Sequence, residues 1–471
     1  MHKSMIDYTA TYTDQYQLTM SQVYFLKGQK DSRAVFDYFF RSLPFNSGYA
    51  LFAGLEDLLN TLENLTFDRA DLEFLKEKGF HPEFIAHLKQ FRFNGTIYSS
   101  HEGDIIFPTR PILQVEGNLI ETQIIETILL NILNFQTLIA TKASRMKHAA
   151  GNHKLIDFGL RRAQGAGGYY ASRAAIIGGF DATSNVRAGR DYDIPLSGTM
   201  AHSYIETYDD ELTAFSHFAE VHPDNCILLV DTYNTLKSGV PNAIRVARMM
   251  EKEGHRLKGI RIDSGDLAYL TKVARQMLDD ASLNYVQIAV SNQLDEFIIK
   301  SLQEQEAPID VFGVGTSLVT GHPDAALDGV YKLAFANGKP RIKLSENVSK
   351  TTLPHRKQVY RMFDSEGLFS GADAVTISTE KDVETMYHPL FAHKSLPLGE
   401  YGKEPLLVKV MENGRRLSPS RSVSEIAEYS KNRLKRLPEE YKRFNYPHIY
   451  KVGLSAGLML ERDRLILEHK K

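Results

Sequence analysis

The chain of 471 residues is 43% hydrophobic and 24% charged, and its formal net charge at pH 7 is −2. This length predicts two or three domains, and the composition is typical of a globular protein with a sizeable core, which excludes a disordered chain and a nucleic-acid-coating protein. The single cysteine, Cys226, excludes an intrachain disulfide, and its apolar surroundings predict a buried thiol in a cytoplasmic protein.

Residues 1–140 mix strand and helix patterns and form the predicted N-terminal part of the protein. The opening stretch MHKSMIDYTATYTDQYQLTM lacks the apolar run of a signal peptide. The run LIETQIIETILLNILNFQTLIA, from Leu119, is interrupted by polar residues such as Glu121 and Glu126, so it predicts a buried amphipathic helix and not a membrane span. We therefore expect neither a membrane nor a nucleic acid as a partner.

From residue 154 to 320, short β-rich runs alternate with helical patterns. The helical segments, such as PNAIRVARMMEKEGH, place apolar residues three and four apart, as a helix with one buried face requires. Continuous apolar strands that helices cover indicate a parallel sheet. The predicted strands are KLIDFGL (154–160), NCILLVDTY (225–233), LKGIRIDSGD (257–266), NYVQIAVSN (284–292) and IDVFGVGTS (309–317).

The segment DFGLRR follows the first of these strands and offers an aromatic ring beside a cation. The face of Phe158 can stack on an aromatic ligand, and Arg161 can bind a phosphate or a carboxylate. A phenylalanine of the core is the ordinary alternative for Phe158. The segment alone therefore leaves both interpretations open.

The segment LSGTMAHSYIETYDDELTAF, residues 196–215, contains a histidine and an acidic run. His202 follows Gly198 and Thr199 in a predicted turn, where an imidazole with one free ring nitrogen can attack a phosphoryl group; a purely structural histidine is the alternative. The acidic run, 209–211, resembles the acidic pair of one class of phosphoribosyltransferases. It lacks the preceding apolar strand and the following phosphate loop of that pair, so it is predicted to be the first turn of a helix.

Polar residues end four of the predicted strands, at Asp231, Asp263, Ser291 and Thr316. Because the carboxyl ends of parallel strands meet at one edge, these residues are expected to cluster, whether the sheet closes into a barrel or stays open. Each residue alone is explained equally well as the cap of the next helix. Their recurrence over successive strands favours a functional site.

RIDSGD and FGVGTS carry the remaining chemical signal at the strand ends. Strand alternation places Arg261 and Asp263 on the same side, where they can pair with each other. Alternatively, Arg261 binds an anionic carboxylate, and Asp263 binds ribose hydroxyls or a magnesium-bound water. FGVGTS is interpreted as a glycine loop in which the backbone N–H groups of Gly313, Gly315 and Thr316 form an anion site. The alternative is that the glycines only permit a tight turn.

The C-terminal part, after about residue 335, contains most of GVYKLAFANGKPRIKL, which predicts a hairpin that turns at Asn337 and Gly338. The helix pattern SVSEIAEYSKNRLKRL is rich in Lys and Arg, which we interpret as a solvated face. The candidates for binding a diphosphate group in this part are Lys343, Ser345, Lys350 and Lys357, although strand alternation alone would leave a lysine solvated.

YTDQYQLTM, DFGLRRAQGAGG, SGTMAHS, RIDSGD and FGVGTS together resemble the nicotinate phosphoribosyltransferase family, in the same order over nearly the whole chain. The resemblance implies that ATP transiently phosphorylates His202. It implies contacts with nicotinate for Tyr16, Phe158, Thr199 and Arg261, with Tyr16 supplied by the second subunit of a homodimer. Contacts with 5-phosphoribosyl 1-diphosphate are implied for Arg161, Asp231, Asp263, Gly315, Thr316, Ser317 and Lys343.

The same resemblance implies an α/β fold with two domains. Residues 141–335 are expected to form an irregular (β/α) TIM-like barrel, the catalytic domain, and residues 1–140 and 336–471 an α/β sandwich domain with terminal helices. Mg²⁺ and the co-substrate ATP are the implied cofactors. The implied products are nicotinate mononucleotide and diphosphate, in the Preiss-Handler salvage route of NAD biosynthesis.

Two alternatives remain open from the sequence. Related enzymes that use nicotinamide carry an aspartate where FDATSNV has Ser184; a carboxylate there would repel nicotinate, so its absence favours the acid over nicotinamide, with quinolinate as a further rival. The other alternative is a binding or regulatory protein that has lost turnover. His202 argues against it, since a pure binder needs no phosphorylatable histidine.

Overall fold

The computed structural model describes residues 5–346, 350–391 and 393–469. The chain divides into two compact units. We call Met1–Thr141 together with Ala326–Lys471 the terminal unit, and Lys142–Ala325 the middle unit. Within the described ranges, none of the helices is both long and apolar enough to cross a membrane.

The N-terminal part of the terminal unit mixes helices and strands. Its helices are α1 (Gln15–Leu26), α2 (Leu55–Asn64), α3 (Arg69–Glu77), α4 (Pro82–Leu88), α5 (Leu119–Ile124) and α6 (Glu126–Ala150), the last of which runs past Thr141. Its strands are β1 (Arg33–Phe40), β2 (Ala50–Leu51), β3 (Thr96–Ser99), β4 (Ile105–Ile106) and β5 (Leu113–Asn118). The run from Leu119 that predicts one buried helix therefore forms two, because α5 ends with Ile125 as its cap.

The middle unit contains the parallel sheet that the βα rhythm predicts. Its strands are β6 (Lys154–Asp157), β7 (Ala182–Thr183), β8 (Ile227–Leu229), β9 (Gly259–Ile262), β10 (Gln287–Ser291) and β11 (Val311–Val314). They pair in the order β7-β6-β11-β10-β9-β8, and every pair is parallel. The α/β class is confirmed. Pairing among the described residues leaves β7 and β8 as the edges of this sheet, so closure into a TIM-like barrel stays a prediction.

Helices follow the strands of the middle unit. They are α7 (Gly167–Ile177), α8 (Val186–Tyr192), α9 (His202–Glu206), α10 (Glu211–Val221), α11 (Val240–Lys252), α12 (Leu267–Asp280), α13 (Glu296–Glu304) and α14 (Thr316–Val319), with a 3-10 turn at Leu160–Arg162 and a π-helical turn at Thr235–Gly239. α11 buries Val240, Ala243 and Val246, at the spacing the sequence predicts. These residues share one core with Leu228 and Ile260, which fixes the strands against the helices.

The C-terminal part of the terminal unit is mainly β-structure. Its strands are β12 (Gly329–Ala336), β13 (Lys339–Pro340), β14 (Lys357–Phe363), β15 (Phe369–Ile377), β16 (Thr385–Tyr387), β17 (Ser395–Pro397), β18 (Gly402–Pro405), β19 (Val408–Glu412), β20 (Arg415–Arg416) and β21 (Lys451–Leu454), and its helices are α15 (Val423–Arg436) and α16 (Ala456–His469). The predicted hairpin of β12 and β13 is confirmed, since Asn337 and Gly338 have φ of 54° and 75°.

Sheets of the terminal unit combine the two ends of the sequence. One has the order β13-β12-β1-β5-β3-β19-β20, and another has the order β17-β16-β21-β15-β14-β18. In the first, β1 lies between β5 and β12 and is antiparallel to both. Strands from before Thr141 and after Ala326 therefore complete the same sheet.

Arg433 on α15 is an exception to the predicted solvated face of SVSEIAEYSKNRLKRL, whose Lys431 and Lys435 are exposed as predicted. Its side chain is buried, with Nε 2.7 Å from Asp104 and Nη1 2.8 Å from Glu404. Asp104 also pairs with the buried Arg361, which in turn pairs with Asp373. A buried arginine persists here because carboxylates surround it, and those partners lie far away in sequence.

Candidate active site

Three polar strand ends of the middle unit are linked by hydrogen bonds. Asp263, after β9, donates its backbone N–H to Asp231 Oδ2 over 2.8 Å, and Ser264 Oγ donates to the same oxygen over 2.7 Å. Ser291, at the end of β10, donates to Asp263 Oδ1. The structure thus brings Asp231, Asp263 and Ser291 together at the carboxyl edge of the sheet.

Other residues cap the helices that follow these strands. Asn234 accepts from the N–H of Lys237, Asp266 caps α12, and Asp295 caps α13. The alternative explanation of the polar strand ends as helix caps is therefore wrong for Asp231 and Asp263. Their carboxylates instead accept hydrogen bonds from the neighbouring strand ends, at Asp263 N–H, Ser264 and Ser291.

His202 opens α9 and lies between a hydroxyl and two carboxylates. Its Nδ1 is 3.1 Å from Thr232 Oγ1, and its Nε2 is 3.8 Å from Asp231 Oδ1 and 3.9 Å from Asp263 Oδ2. The imidazole is 38% exposed, whereas the side chain of Asp231 is 1% exposed. Asp231 Oδ1 has no hydrogen-bond partner among the described residues. The two carboxylates are placed to stabilise a positive charge on the ring.

Arg261, on β9, lies near two other residues predicted to bind the base, Thr199 and Phe158. Its Nε donates to Ser291 Oγ over 3.1 Å, and its Nη1 donates to Thr199 Oγ1 over 3.2 Å. The guanidinium carbon lies 5.6 Å from the ring centroid of Phe158, and Nη2 is 3.6 Å from Asp263 Oδ1. The predicted pairing of Arg261 with Asp263 thus exists, but the guanidinium is also oriented by neutral groups and an aromatic face.

Gly313 makes room for the ring of Phe158. A Cβ at position 313 would lie 2.4 Å from Phe158 Cε2, so any side chain there would displace the ring. The sequence interpretation of Gly313 as part of an anion-binding loop is wrong, because the residue lies inside β11. The glycine is explained by the close approach of an aromatic side chain.

Asp157, at the end of β6, is a buried carboxylate that the sequence analysis missed. It accepts hydrogen bonds from the N–H of Gly159 over 2.8 Å and from Ser172 Oγ and Thr183 Oγ1 over 2.7 Å each. Burial raises the pKa of Asp157, and the three donors only partly offset that effect. The carboxylate thereby connects the turn that presents Phe158 with the segment that starts at Thr183.

The predicted phosphate-binding residues follow two neighbouring strands. β6 and β11 are paired at Asp157 and Val314. Arg161 is exposed in the 3-10 turn after β6, and Thr316 is exposed at the start of α14 after β11. A Cβ at Gly315 would lie 3.4 Å from the carbonyl oxygen of Phe158. The Arg161 turn and the segment that contains Gly315, Thr316 and Ser317 are therefore adjacent loops.

The remaining predicted residues belong to the terminal unit. Tyr16 is half exposed in the first turn of α1, and the side chains of Lys343 and Lys350 are exposed. The prediction that Lys357 binds a diphosphate is wrong. The residue is buried, and its Nζ lies 2.8 Å from Asp37 and donates to backbone carbonyl oxygens. Its charge is already compensated inside the protein, so it is not available to a diphosphate.

The acidic run after His202 begins a helix, as predicted. Asp210 is the N-cap of α10 and accepts from the N–H of Thr213 over 2.9 Å and from its hydroxyl over 2.6 Å. Glu211 is buried and accepts from Asn242 Nδ2 over 2.9 Å. These contacts engage Asp210 in helix capping and Glu211 in packing against α11.

The described residues contain no cluster of three or more His, Cys, Asp or Glu side chains arranged to hold a metal ion. Asp231 and Asp263 nevertheless offer carboxylate oxygens at one strand edge. Mg²⁺ is commonly held by one or two carboxylates together with substrate phosphates and water. The pair therefore fits a magnesium ion that arrives with a phosphorylated substrate.

Three family models match the sequence in succession. Residues 11–134 match the nicotinate phosphoribosyltransferase (NAPRTase) N-terminal domain. Residues 153–367 match the nicotinate phosphoribosyltransferase (NAPRTase) family, and residues 356–460 match the nicotinate phosphoribosyltransferase C-terminal domain. The match over 153–367 includes the whole cluster around His202 and Arg261.

Similar proteins match over nearly their full length. The nicotinate phosphoribosyltransferase of Bacillus subtilis (strain 168) is 44% identical over 476 residues, which covers 98% of this chain and 96% of that protein. The crystal structure of human nicotinic acid phosphoribosyltransferase has a TM-score of 0.86 at 30% identity and covers 96% of this chain and 99% of its own. The structure of nicotinate-nucleotide pyrophosphorylase from Pyrococcus furiosus has a TM-score of 0.73 at 27% identity, over 93% and 99%.

Proposed function

The chain belongs to the nicotinate phosphoribosyltransferase family, and we propose that it condenses nicotinate with 5-phosphoribosyl 1-diphosphate, giving nicotinate mononucleotide and diphosphate. The observation that carries this proposal is the match to the Bacillus subtilis enzyme of that name over 98% of the chain. The family resemblance inferred from the sequence motifs is thereby confirmed. The roles of individual residues, the coupling to ATP and the finer architecture are part of the proposal.

Nicotinate binds beside Arg261 and Phe158 in this proposal. The guanidinium, which Thr199 and Ser291 orient, offers a planar set of donors to the nicotinate carboxylate, and the ring of Phe158 stacks on the pyridine. Thr199 contacts the base from the same turn as His202. Tyr16 of a second subunit closes the pocket, so the active form is a homodimer.

The phosphoribosyl donor occupies the adjacent loops after β6 and β11. Backbone N–H groups of Gly315, Thr316 and Ser317 receive its 5-phosphate, and Arg161 adds a positive charge. Asp263 binds the ribose hydroxyls. Asp231 and Lys343 complete the donor site on the diphosphate side.

The bond change is a displacement at the anomeric carbon. The pyridine nitrogen forms the new bond to carbon as the bond to the diphosphate oxygen breaks, and no general base is needed because a pyridine nitrogen has no proton to lose. Asp231 and Asp263 would hold Mg²⁺ that arrives with the substrate, and the ion would neutralise charge on the leaving group. The side chains of the site position the two reactants and stabilise the charge that develops.

ATP acts through His202. The Nδ1 lone pair attacks the γ-phosphorus, the bond to the β–γ bridging oxygen breaks, and ADP leaves. Asp231 and Asp263, with carboxylate oxygens 3.8 and 3.9 Å from Nε2, stabilise the positive ring. The phosphorylated enzyme binds 5-phosphoribosyl 1-diphosphate more tightly, and hydrolysis of the phosphohistidine draws the reaction toward the nucleotide.

Family membership also supports the finer predictions for the whole chain. Residues 141–335 are proposed to form the irregular (β/α) TIM-like barrel, and residues 1–140 and 336–471 the α/β sandwich domain. The enzyme is proposed to act in the cytoplasm, in the salvage of nicotinate for NAD biosynthesis.

Turnover on nicotinate, nicotinamide and quinolinate tests the proposed substrate. Ser184 follows Thr183 in the segment attached to Asp157, and it adds no negative charge that would repel a carboxylate. Nicotinate is expected to give the highest kcat/KM. A preference for nicotinamide would overturn this choice of base, and nucleotide binding without diphosphate release from any base would support the alternative of a binding protein.

A further inference from the structure

A cavity of about 650 Å³ lies in the terminal unit, among β16, β17, β21 and α16. It exists because the hairpin of β16 and β17 joins the sheet loosely. β21 pairs with β15 through four residue pairs, but it pairs with β16 only through Leu454 and Tyr387. The rest of that edge, Lys451–Gly453, lines the cavity.

The walls of the cavity are mostly apolar. Met386 and Leu396 lie on the hairpin, and Leu353 lies on the segment before β14. Gly453 allows Met386 to lie against β21, since a Cβ there would be 2.8 Å from its Cγ. Ile449, which lines the same cavity, is 82% exposed. Exposed apolar side chains around a concave surface are typical of binding sites.

The charged residues that line the cavity are basic. They are Lys394, Lys451 and Arg462, joined by His388, and no Asp or Glu occurs among the described residues of the lining. The Nζ of Lys394 lies 5.0 Å from the ring centroid of Phe391 and forms no ion pair within the described ranges. Arg462 is already paired with Asp463 over 2.7 Å, so the positive potential of the cavity comes from Lys394 and Lys451.

Two of these basic residues are held in place by backbone groups. His388 Nδ1 accepts from the N–H groups of Leu390 and Phe391 over 3.1 and 3.2 Å, so the neutral ring carries its proton on Nε2, as a donor. Arg462 Nη1 donates to the carbonyl oxygen of Pro389 over 2.6 Å. The donors are thus pre-oriented, which reduces the entropy that binding costs.

We propose that this cavity binds an organic anion with an apolar, ring-sized body. The body would displace water from Leu353, Met386 and Leu396, and the anionic group would meet Lys394 and the Nε2–H of His388. The basic side chains would repel a cation, and a small inorganic anion would leave the apolar surface of the cavity exposed to water. The volume lies within the range of small-molecule sites, roughly 300–1,000 Å³. The proposal does not depend on the phosphoribosyltransferase reaction.

Fluorescence titration of the full chain tests the proposal with two matched compounds. 8-Anilinonaphthalene-1-sulfonate has an apolar ring body and one negative charge, and N-phenyl-1-naphthylamine has the same rings without the charge. Both are added with saturating nicotinate mononucleotide, the proposed product, which keeps the compounds out of the reaction site without turnover. The sulfonate is expected to saturate one site per chain and to bind roughly tenfold more tightly than the neutral compound.

Substitution of Lys394 assigns the binding to the cavity. Lys394→Gln is expected to weaken sulfonate binding roughly tenfold and Lys394→Glu more strongly, because the second reverses the charge. Lys435→Glu is the matched control: this exposed lysine on α15 does not line the cavity, and its variant should bind as the unmodified chain does. Non-saturable binding, equal affinity for the two compounds, or affinity that both Lys394 variants leave unchanged would overturn the proposal.

Discussion

Arg261 is fixed on three sides before any ligand arrives. Ser291 and Thr199 accept from its guanidinium, and Phe158 lies beneath it. A lysine cannot reproduce this arrangement, since its ammonium is a point charge without the planar set of donors. The residue is therefore suited to hold a planar carboxylate in one orientation.

Replacement of Arg261 by lysine measures that role. Arg261→Lys is expected to raise KM for nicotinate about tenfold or more, because a charge-assisted hydrogen bond is worth about 1.5–3 kcal/mol. Steady-state kinetics with varied nicotinate give the value. Arg256→Lys, at an exposed guanidinium 5.0 Å from the ring centroid of Tyr285, should leave KM unchanged. Equal KM in the Arg261 variant would contradict the assignment.

Asp157 gives a pH-dependent contribution to stability. Burial raises its pKa, so its contribution is greatest in acid, below the unfolded-state pKa, and is lost as pH rises through the folded-state pKa. Asp157→Asn does not titrate. The free energy of unfolding of this variant relative to the unmodified protein should therefore increase from about pH 4 to pH 7. Urea unfolding at several pH values provides the measurement, and a difference that stays flat or falls would show that the carboxylate is not held as described.

The limits of sequence reasoning are clear at single residues. The motifs that contain His202, Arg261 and Asp263 indicate a chemical role through their residue types, and the structure places the three residues together. Thr232 contacts His202, and Asp157 contacts Ser172 and Thr183, all distant from them in sequence. No local pattern marks such contacts, because they arise when separate strands of the sheet become neighbours.

At the scale of elements, Asp210 separates the acidic run from the site. Its carboxylate caps α10 through Thr213, so Asp210→Ala should lower the melting temperature by a few degrees, about the effect of a lost N-cap. Asp209→Ala, one residue earlier and outside the cap, is the control. Differential scanning calorimetry gives the melting temperatures, and diphosphate release should be the same in both variants. A large loss of activity in Asp210→Ala alone would indicate that the acidic run takes part in the reaction.

Periodic patterns predicted the elements of the middle unit well. The five strand runs and helices such as α11 and α12 are present because apolar spacing reflects burial on one or two faces. The division between α5 and α6 escaped prediction, since no Gly or Pro marks it. Gly313 was misassigned because a glycine in a strand and a glycine in a loop look alike until Phe158 is placed above it.

At the scale of the whole molecule, the proposed active form is a homodimer in which Tyr16 acts across subunits. This arrangement predicts complementation between inactive chains. Tyr16→Ala and Arg261→Ala homodimers are each expected to be nearly inactive, while co-expressed chains form mixed dimers with one intact site, giving about a quarter of the normal activity. Activity assays on the purified mixtures measure the recovery. No recovery in a verified mixed dimer would contradict the action of Tyr16 across subunits.

The proposed reaction couples nicotinate turnover to ATP through His202. The most direct measurement is diphosphate release from 5-phosphoribosyl 1-diphosphate and nicotinate, with and without ATP, for the unmodified chain and for His202→Ala. We predict that ATP stimulates release by the unmodified chain, that the variant keeps a basal rate without stimulation, and that acid-labile phosphate from ATP labels only the unmodified chain. Equal stimulation and equal labelling of the variant would contradict the account.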